Sequence, residues 1–187
     1  EGLLPRPSRS RAGYRIFGEE DEQRLRFVRQ AQSSGLTLGD IREIVRYAAD
    51  RHINVVPEIE MPGHARAAIS AYPHLGCNPD TQLKPWTVWG VCPDIFCTAD
   101  QTVAFLQDVL TEVMQLFPSP YIHIGGDEAI KDQWKASPVV QARIKELGLK
   151  DEAEMQSWFI KQMDAFLARN GRRMVGWDEI LEGGLAP

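Results

Sequence analysis

Apolar side chains recur at the spacing of an α-helix in several segments of the chain. In the first segment Thr37 and Asp40 resemble a capping box, and the apolar positions are Ile41, Ile44, Val45 and Ala48. A second capping box is predicted at Thr98–Gln101, followed by an apolar face at Val103, Leu106, Leu110, Val113 and Phe117. These patterns predict a helix from residue 37 to about residue 51 and another that starts near residue 98.

Two further helices have clear start and stop signals. Ser137 precedes Pro138 as an N-cap before a proline at the first helical position, and Gly148 marks the end of that helix. The last helix is predicted from about Glu152 to Asn170, where a glycine follows.

Short apolar segments lie between the helices, at residues 53–59, 121–124 and 173–177, and each is predicted to be a strand. The first is rich in β-branched residues and is expected to be buried. Because helices and strands alternate, the strands should be parallel and joined by right-handed crossovers, which defines an α/β fold.

Polar side chains follow the carboxyl end of every predicted strand. They are Glu58, Glu60 and His64 after the first, Asp127 and Glu128 after the second, and Asp178 and Glu179 after the third. In a (β/α)8 TIM barrel the active site is built at this end of the strands. The distribution therefore favours a barrel over an open sheet.

The composition suits one globular domain at most. The chain has 187 residues, of which 43% are hydrophobic and 25% charged, with a net charge of −5. No segment approaches the ~20 apolar residues of a membrane-spanning helix. The acidic balance argues against a nucleic-acid partner.

Residues 1–36 have no periodic core face and no recognisable signal peptide. We interpret them as an unassigned leader, either flexible or a basic arm for an acidic partner, and residues 37–187 as the catalytic portion. Cys77, Cys92 and Cys97 have no C-x-x-C pairing, which argues against a zinc cluster. A Cys77–Cys97 disulfide and ordinary reduced cysteines both stay open.

The densest candidate site is the segment His123–Ala129, in which two glycines separate a strand from the adjacent carboxylates Asp127 and Glu128. Neighbours on a regular strand point to opposite faces, so both carboxylates can share a pocket only after the strand has ended. Such a pair can divide into a proton donor and an anion, as glycoside cleavage requires. The alternative is that both acids cap the N-terminus of a following helix.

Three motifs together resemble glycoside hydrolase family 20, the β-N-acetylhexosaminidases. They are VVPEIEMPGHA at residues 55–65, HIGGDEA at residues 123–129 and VGWDEI at residues 175–180. The resemblance covers about residues 37–187 and implies that the chain contains strands three to five of a TIM barrel. It also implies substrate-assisted retaining hydrolysis of terminal non-reducing N-acetylhexosamine from β-linked glycans or chitin oligomers.

The resemblance assigns roles to four residues. Glu128 would be the general acid and then the base, Asp127 would orient the substrate's 2-acetamido group, and His64 would support the acid. Trp177 would line the acetamide pocket. No cofactor or metal is predicted, and the partner is a carbohydrate. Glu58, Glu60, Asp178 and Glu179 are interpreted as hydrogen-bonding residues of the barrel rim or, alternatively, as residues of the site wall, and His123 is interpreted as structural.

Some parts of the family's pattern have no match in this chain. Residues 1–36 do not resemble its second strand, and we find neither the arginine of its first strand nor the tyrosine and tryptophans of strands six to eight. Three strands cannot close a barrel of roughly 250 residues. We therefore expect little hydrolase activity from the isolated 187 residues. A periplasmic or secreted location is implied only by the family's usual polymeric substrates.

Two other functions are compatible with the residues. One is a metal-dependent amidohydrolase or deacetylase built on His64, His123, Asp127 and Glu58, which loss of activity in EDTA would favour. The other is a non-catalytic carbohydrate-binding fragment that stacks sugars on the aromatic residues Tyr72, Trp86, Trp89 and Phe96.

Overall fold

The structure, a computed structural model, describes residues 37–184 together with two short strands near the N-terminus. These strands, β1 (Ser8–Arg9) and β2 (Arg15–Ile16), form an antiparallel pair. The remaining residues of the predicted leader lie outside the described residues. The chain divides into two compact units, residues 1–47 and 48–187.

Helix α1 (Leu38–Ala49) begins with the predicted capping box. The Thr37 N–H donates to Asp40 Oδ2 at 2.6 Å, and the Asp40 N–H donates to Thr37 Oγ1 at 3.1 Å. The Thr37 hydroxyl also donates to Asp40 Oδ2, and the two hydrogen bonds that this carboxylate accepts from Thr37 lower the pKa of Asp40. Among the four apolar positions predicted for this helix only Ala48 is buried, and Ile44 is 47% exposed.

The second unit contains five further α-helices and two 3₁₀ turns. The turns are Pro73–Leu75 and Asp178–Leu181. The helices are α2 (Arg66–Ala71), α3 (Asp100–Leu116), α4 (Asp132–Ala136), α5 (Pro138–Glu146) and α6 (Glu152–Arg169). The predictions for α3, α5 and α6 are confirmed within two residues at each end. Within the described residues no helix has the length and apolarity needed to cross a membrane.

Strands β3 (Tyr121–His123) and β4 (Arg173–Val175) are parallel, as predicted. A third segment adds to β3 through a parallel bridge between Glu58 and His123. It is held there by the Ile59 N–H, which donates to the His123 carbonyl at 2.9 Å, and by the Met61 N–H, which donates to the Ile124 carbonyl at 3.0 Å. Three parallel chain segments therefore run side by side.

The buried strand predicted at residues 53–59 is wrong in its first half. Ile53 and Val56 are 57% and 42% exposed, and only the bridge at Glu58 pairs with β3. Within residues 37–184 no other strand is available to pair with this edge, so the apolar side chains stay uncovered.

The core lies between β3 and the two long helices. Ile122 and Ile124 have no exposed surface and belong to one cluster with residues of α3 and α6, among them Leu106, Leu110, Phe159, Met163 and Leu167. The alternation of apolar residues that predicted α3 matches its buried face at Val103, Leu106, Leu110 and Val113.

Between residues 61 and 101 one element was not predicted and one capping prediction is wrong. The segment between Met61 and Cys97 contains helix α2, which the sequence pattern did not reveal. The N-cap of α3 is Ala99, which provides no side-chain cap, whereas Thr98 is buried and its Oγ1 finds no hydrogen-bond partner among the described residues. Because the Thr98 side chain is buried, it does not cap the first turn of α3.

The cysteines are all free, so the Cys77–Cys97 disulfide is not formed. The two thiols are nevertheless neighbours, because Gly76 and Phe96 beside them form an antiparallel bridge. A hydrogen bond from Cys77 lowers the pKa of the Cys97 thiol to about 7, and the same contact raises the pKa of Cys77.

Candidate active site

The candidate site lies where the three parallel segments end. Here the chain leaves β3 through two glycines in left-handed conformations, Gly125 at φ 67° and Gly126 at φ 96°. A Cβ on Gly125 would overlap the Glu60 carboxyl group, and one on Gly126 would overlap Ile180. Both positions therefore need glycine, for backbone conformation and for space.

His64 lies between the two carboxylates that follow the glycines. Its Nε2 is 3.5 Å from Asp127 Oδ2 and 3.5 Å from Glu128 Oε2. The Glu128 side chain is 49% exposed and the Asp127 side chain 24%. The structure thus brings His64 together with two adjacent carboxylates that lie more than sixty positions later in the sequence.

His64 and Glu128 both have positive φ angles, at 49° and 48°. A residue with a side chain is uncommon in this region, and holding it there costs about 1–3 kcal/mol. Such strain persists only where the surrounding structure imposes it. The side chains of His64 and Glu128 also contact each other, with His64 Nε2 at 3.5 Å from Glu128 Oε2.

The loop that carries His64 is fixed by backbone contacts. A Cβ on Gly63 would lie 3.0 Å from the Asp127 carbonyl oxygen, so the two site loops touch through main chain. The Phe96 N–H donates to the Pro62 carbonyl at 2.9 Å. In turn, the Trp134 indole N–H donates to the Phe96 carbonyl at 2.8 Å. Fully buried Trp134 thus holds the backbone of Phe96, and Phe96 in turn holds the His64 loop at Pro62.

A second hydrogen-bonded group is centred on Glu58. Its Oε1 accepts from the Trp177 indole N–H at 3.0 Å and lies 3.1 Å from His123 Nδ1. The rings of His123 and Trp177 meet edge to face, with centroids 5.1 Å apart. Trp177 keeps 49% of its surface exposed, so one side of its ring is open at the site.

A cleft of about 370 Å³ opens beside Glu128. Its charged lining residues besides Glu128 are Lys131, Glu179 and Glu182. Lys131 Nζ pairs with Glu182 Oε2 at 3.5 Å. Asp178 is exposed and is not part of this lining. The general acid proposed from the sequence therefore faces open space.

Glu60 is the site residue whose position differs most from the sequence-based interpretation. Its Oε2 is buried beneath the Gly125 turn instead of facing solvent at the rim. The alternation of acidic and apolar residues in 58–61 gave no sign of this burial. The signal that could have revealed it is Gly125, a position without a side chain directly above it.

The structure groups donor atoms of His64, Asp127 and Glu128 within 4.8 Å of one another, the spacing that a small cation would also need. The four metal ligands considered from the sequence, His64, His123, Asp127 and Glu58, do not form one group. His123 and Glu58 pair with each other instead. A histidine whose Nε2 lies 3.5 Å from each of two carboxylates, as in an ion pair, accounts for the same spacing without a metal.

Comparison with known proteins identifies the family. The model of the catalytic domain of glycosyl hydrolase family 20 matches residues 11–187, so its match begins inside the segment interpreted as a leader. A beta-hexosaminidase of Porphyromonas gingivalis is 55% identical over 158 residues, which are 83% of this chain and 20% of that protein.

Solved structures agree with the sequence relatives. A beta-N-acetylhexosaminidase from Bacteroides fragilis superposes with a TM-score of 0.69 at 42% identity, covering 80% of this chain and 29% of that one. The Flavobacterium johnsoniae chitobiase gives a TM-score of 0.74 at 37% identity, covering 78% and 22%. The chain spans less than a third of the length of these relatives, and it belongs to glycosyl hydrolase family 20 as a portion of the TIM-barrel catalytic domain.

Proposed function

We propose that this chain supplies the acid–base and acetamide-orienting groups of a β-N-acetylhexosaminidase that removes terminal non-reducing N-acetylhexosamine from β-linked glycans or chitin oligomers. The observation that carries the proposal is the arrangement of His64 Nε2 at 3.5 Å from both Asp127 and Glu128, beyond the ends of parallel strands. Membership of family 20 and the names of the relatives support the same reaction.

Glu128 is the general acid in this proposal. Its half-exposed carboxyl group faces the open cleft, where the oxygen of a leaving sugar has room. It gives a proton to the glycosidic oxygen as the bond to C1 breaks, and later takes a proton from water. His64 can stabilise the Glu128 anion between the two steps, because its Nε2 lies beside that carboxylate.

Asp127 orients the substrate's 2-acetamido group. The acetamide oxygen attacks C1 and forms an oxazolinium ion, and the carboxylate of Asp127 stabilises the positive charge that develops there. The enzyme therefore needs no second carboxylate as a nucleophile. We propose that the methyl group of the acetamide packs against the exposed face of the Trp177 ring. Glu58 holds that ring in place by accepting the hydrogen bond of its indole N–H.

We further propose that residues 37–187 contribute strands three to five of the barrel. In the family that the sequence resembles, the aspartate–glutamate pair follows strand four. Here that pair follows β3, which has a parallel segment on each side, residues 57–61 and β4. This arrangement supports placing β3 at the fourth position.

The N-acyl group provides a direct test of the substrate-assisted step. Replacing the acetyl group of an aryl β-N-acetylglucosaminide by mono-, di- and trifluoroacetyl makes the carbonyl oxygen a progressively weaker nucleophile. We expect kcat/KM of the full-length protein to fall with each fluorine, and the product to retain the β configuration. Rates that do not depend on fluorination would contradict the mechanism.

A further inference from the structure

Glu60 contacts Asp127 and is not among the residues that line the open cleft. The turn at Gly125 covers its carboxyl group so closely that any side chain there would overlap it. The segment that carries Glu60 is locked to β3 on both sides, by the N–H groups of Ile59 and Met61. Its position is therefore fixed by main-chain hydrogen bonds and not by a flexible loop.

Two buried carboxyl oxygens in this region have no donor among the described residues. They are Glu60 Oε2 and Asp127 Oδ1. Glu60 lies within hydrogen-bonding reach of both Glu58 and Asp127. Since an ionised carboxylate only accepts hydrogen bonds, ionised groups here leave the buried oxygens of Glu60 and Asp127 unsatisfied. Leaving a buried polar atom without a partner costs about 1–3 kcal/mol, and more for a charged group. If one proton lies between the two carboxyl groups, each of these buried oxygens gains a hydrogen-bond partner.

We propose that Glu60 holds a proton at neutral pH and donates it in a hydrogen bond to Asp127, so that Glu60 is a positioning residue for the aspartate. The inference rests on the proposed function, in which Asp127 orients the acetamido group. The hydrogen bond fixes one oxygen of Asp127 and leaves the other, 3.5 Å from His64, directed toward the site.

The electrostatic surroundings of Glu60 favour its protonated form. Burial, hydrogen bonding to Glu58 and the negative charges of Asp127 and Glu58 raise the pKa of Glu60 to about 8. Glu58 lies on the same segment and Asp127 follows β3, while His123 faces Glu58 and His64 faces Asp127. Within residues 37–184 no Lys or Arg forms an ion pair with Glu60.

The direction of the pH effect follows from this shift. Because the pKa of Glu60 is raised from 4.5 to about 8, the folded protein binds the proton more tightly than the unfolded chain. The stabilisation is complete at low pH and is lost as the pH rises through 8. Above that pH Glu60 becomes an anion, repels Asp127 and no longer orients it.

The kinetic test uses three substitutions in the full-length protein. Glu60→Ala removes the donor, Glu60→Gln replaces the hydroxyl donor by an amide donor, and Glu112→Gln alters an exposed glutamate of α3 as a matched control. The substrate is 2,4-dinitrophenyl β-N-acetylglucosaminide. Its leaving group needs no proton, so the alkaline limb of the pH profile reports on Glu60 and Asp127 instead of Glu128.

We expect Glu60→Ala to lower kcat about 10–100-fold, since a small misplacement of an orienting group can reduce a rate by that much. KM should change little. Glu60→Gln should keep most of the activity at pH 7, and its alkaline limb should move to higher pH. Equal losses in both Glu60 variants with an unmoved alkaline limb, or wild-type activity in both, would overturn the proposal.

A spectroscopic test separates this inference from the proposed function. The difference in infrared absorption between the wild-type protein and Glu60→Gln should contain a carboxylic acid band at pH 7, and this band should disappear near pH 8. If this carboxylic acid absorption is present but the glycoside is not hydrolysed, the proposed function is wrong and the inference about the Glu60 proton is supported. If no carboxylic acid absorbs at pH 7, the shared proton is excluded whatever the activity.

Discussion

Glu128→Gln is expected to reduce kcat/KM for substrates with poor leaving groups about 10²–10⁴-fold, the usual contribution of a general acid. Glutamine keeps the size of the side chain but cannot give a proton to the glycosidic oxygen. The cleft beside Glu128 and the contact with His64 should both survive, because the substitution changes no backbone angle.

The leaving group distinguishes acid catalysis from a structural role of Glu128. A 2,4-dinitrophenolate departs without protonation, so the same variant should lose little kcat/KM with that substrate. Glu112→Gln, in the exposed surface of α3, should match the wild type with both substrates. A similar loss with good and poor leaving groups would mean that Glu128 does not act as the acid.

Trp134→Ala is expected to lower the free energy of unfolding by about 3–5 kcal/mol, the usual range for truncating a buried aromatic residue. Trp134 has no exposed surface and lies 6.5 Å from the ring of Phe159, centroid to centroid. Chemical denaturation of the full-length protein measures the change. Trp89→Ala is the matched control, since that tryptophan is fully exposed and its loss should change stability by about 0.5 kcal/mol or less.

The conservative substitution Trp134→Phe tests the link to the active site. Phenylalanine keeps most of the volume but leaves the buried Phe96 carbonyl without its donor. Because Phe96 in turn holds Pro62, the His64 loop should loosen, and kcat should fall further than the small loss of stability explains. Trp134→Ala that is as stable as Trp89→Ala would refute the anchoring role.

The parts of the fold that could be predicted are those determined by short stretches of sequence. The apolar period of α3, the Ser137 cap and the glycine that ends α6 act within one or two helical turns. The approach of Asp127 and Glu128 was also predictable, because it depends only on a strand followed by Gly125 and Gly126.

The features that could not be predicted depend on partners distant in sequence. Residues 53–56 have the composition of a buried strand, but composition does not reveal whether a neighbour covers them. Thr98 has a good capping sequence, yet its side chain is drawn into the core. Glu60 resembles an ordinary rim acid until Gly125, sixty-five residues later, is folded over it.

The left-handed backbone at Glu128 also sets stability against activity when this residue is substituted. Glycine is unstrained at such a φ angle and asparagine is tolerated, so either replacement would relieve strain while removing the proposed acid. Under random substitution with selection for stability alone, Glu128 would therefore be the first residue of the site to be replaced. Only selection for turnover can keep a glutamate on a backbone better suited to glycine.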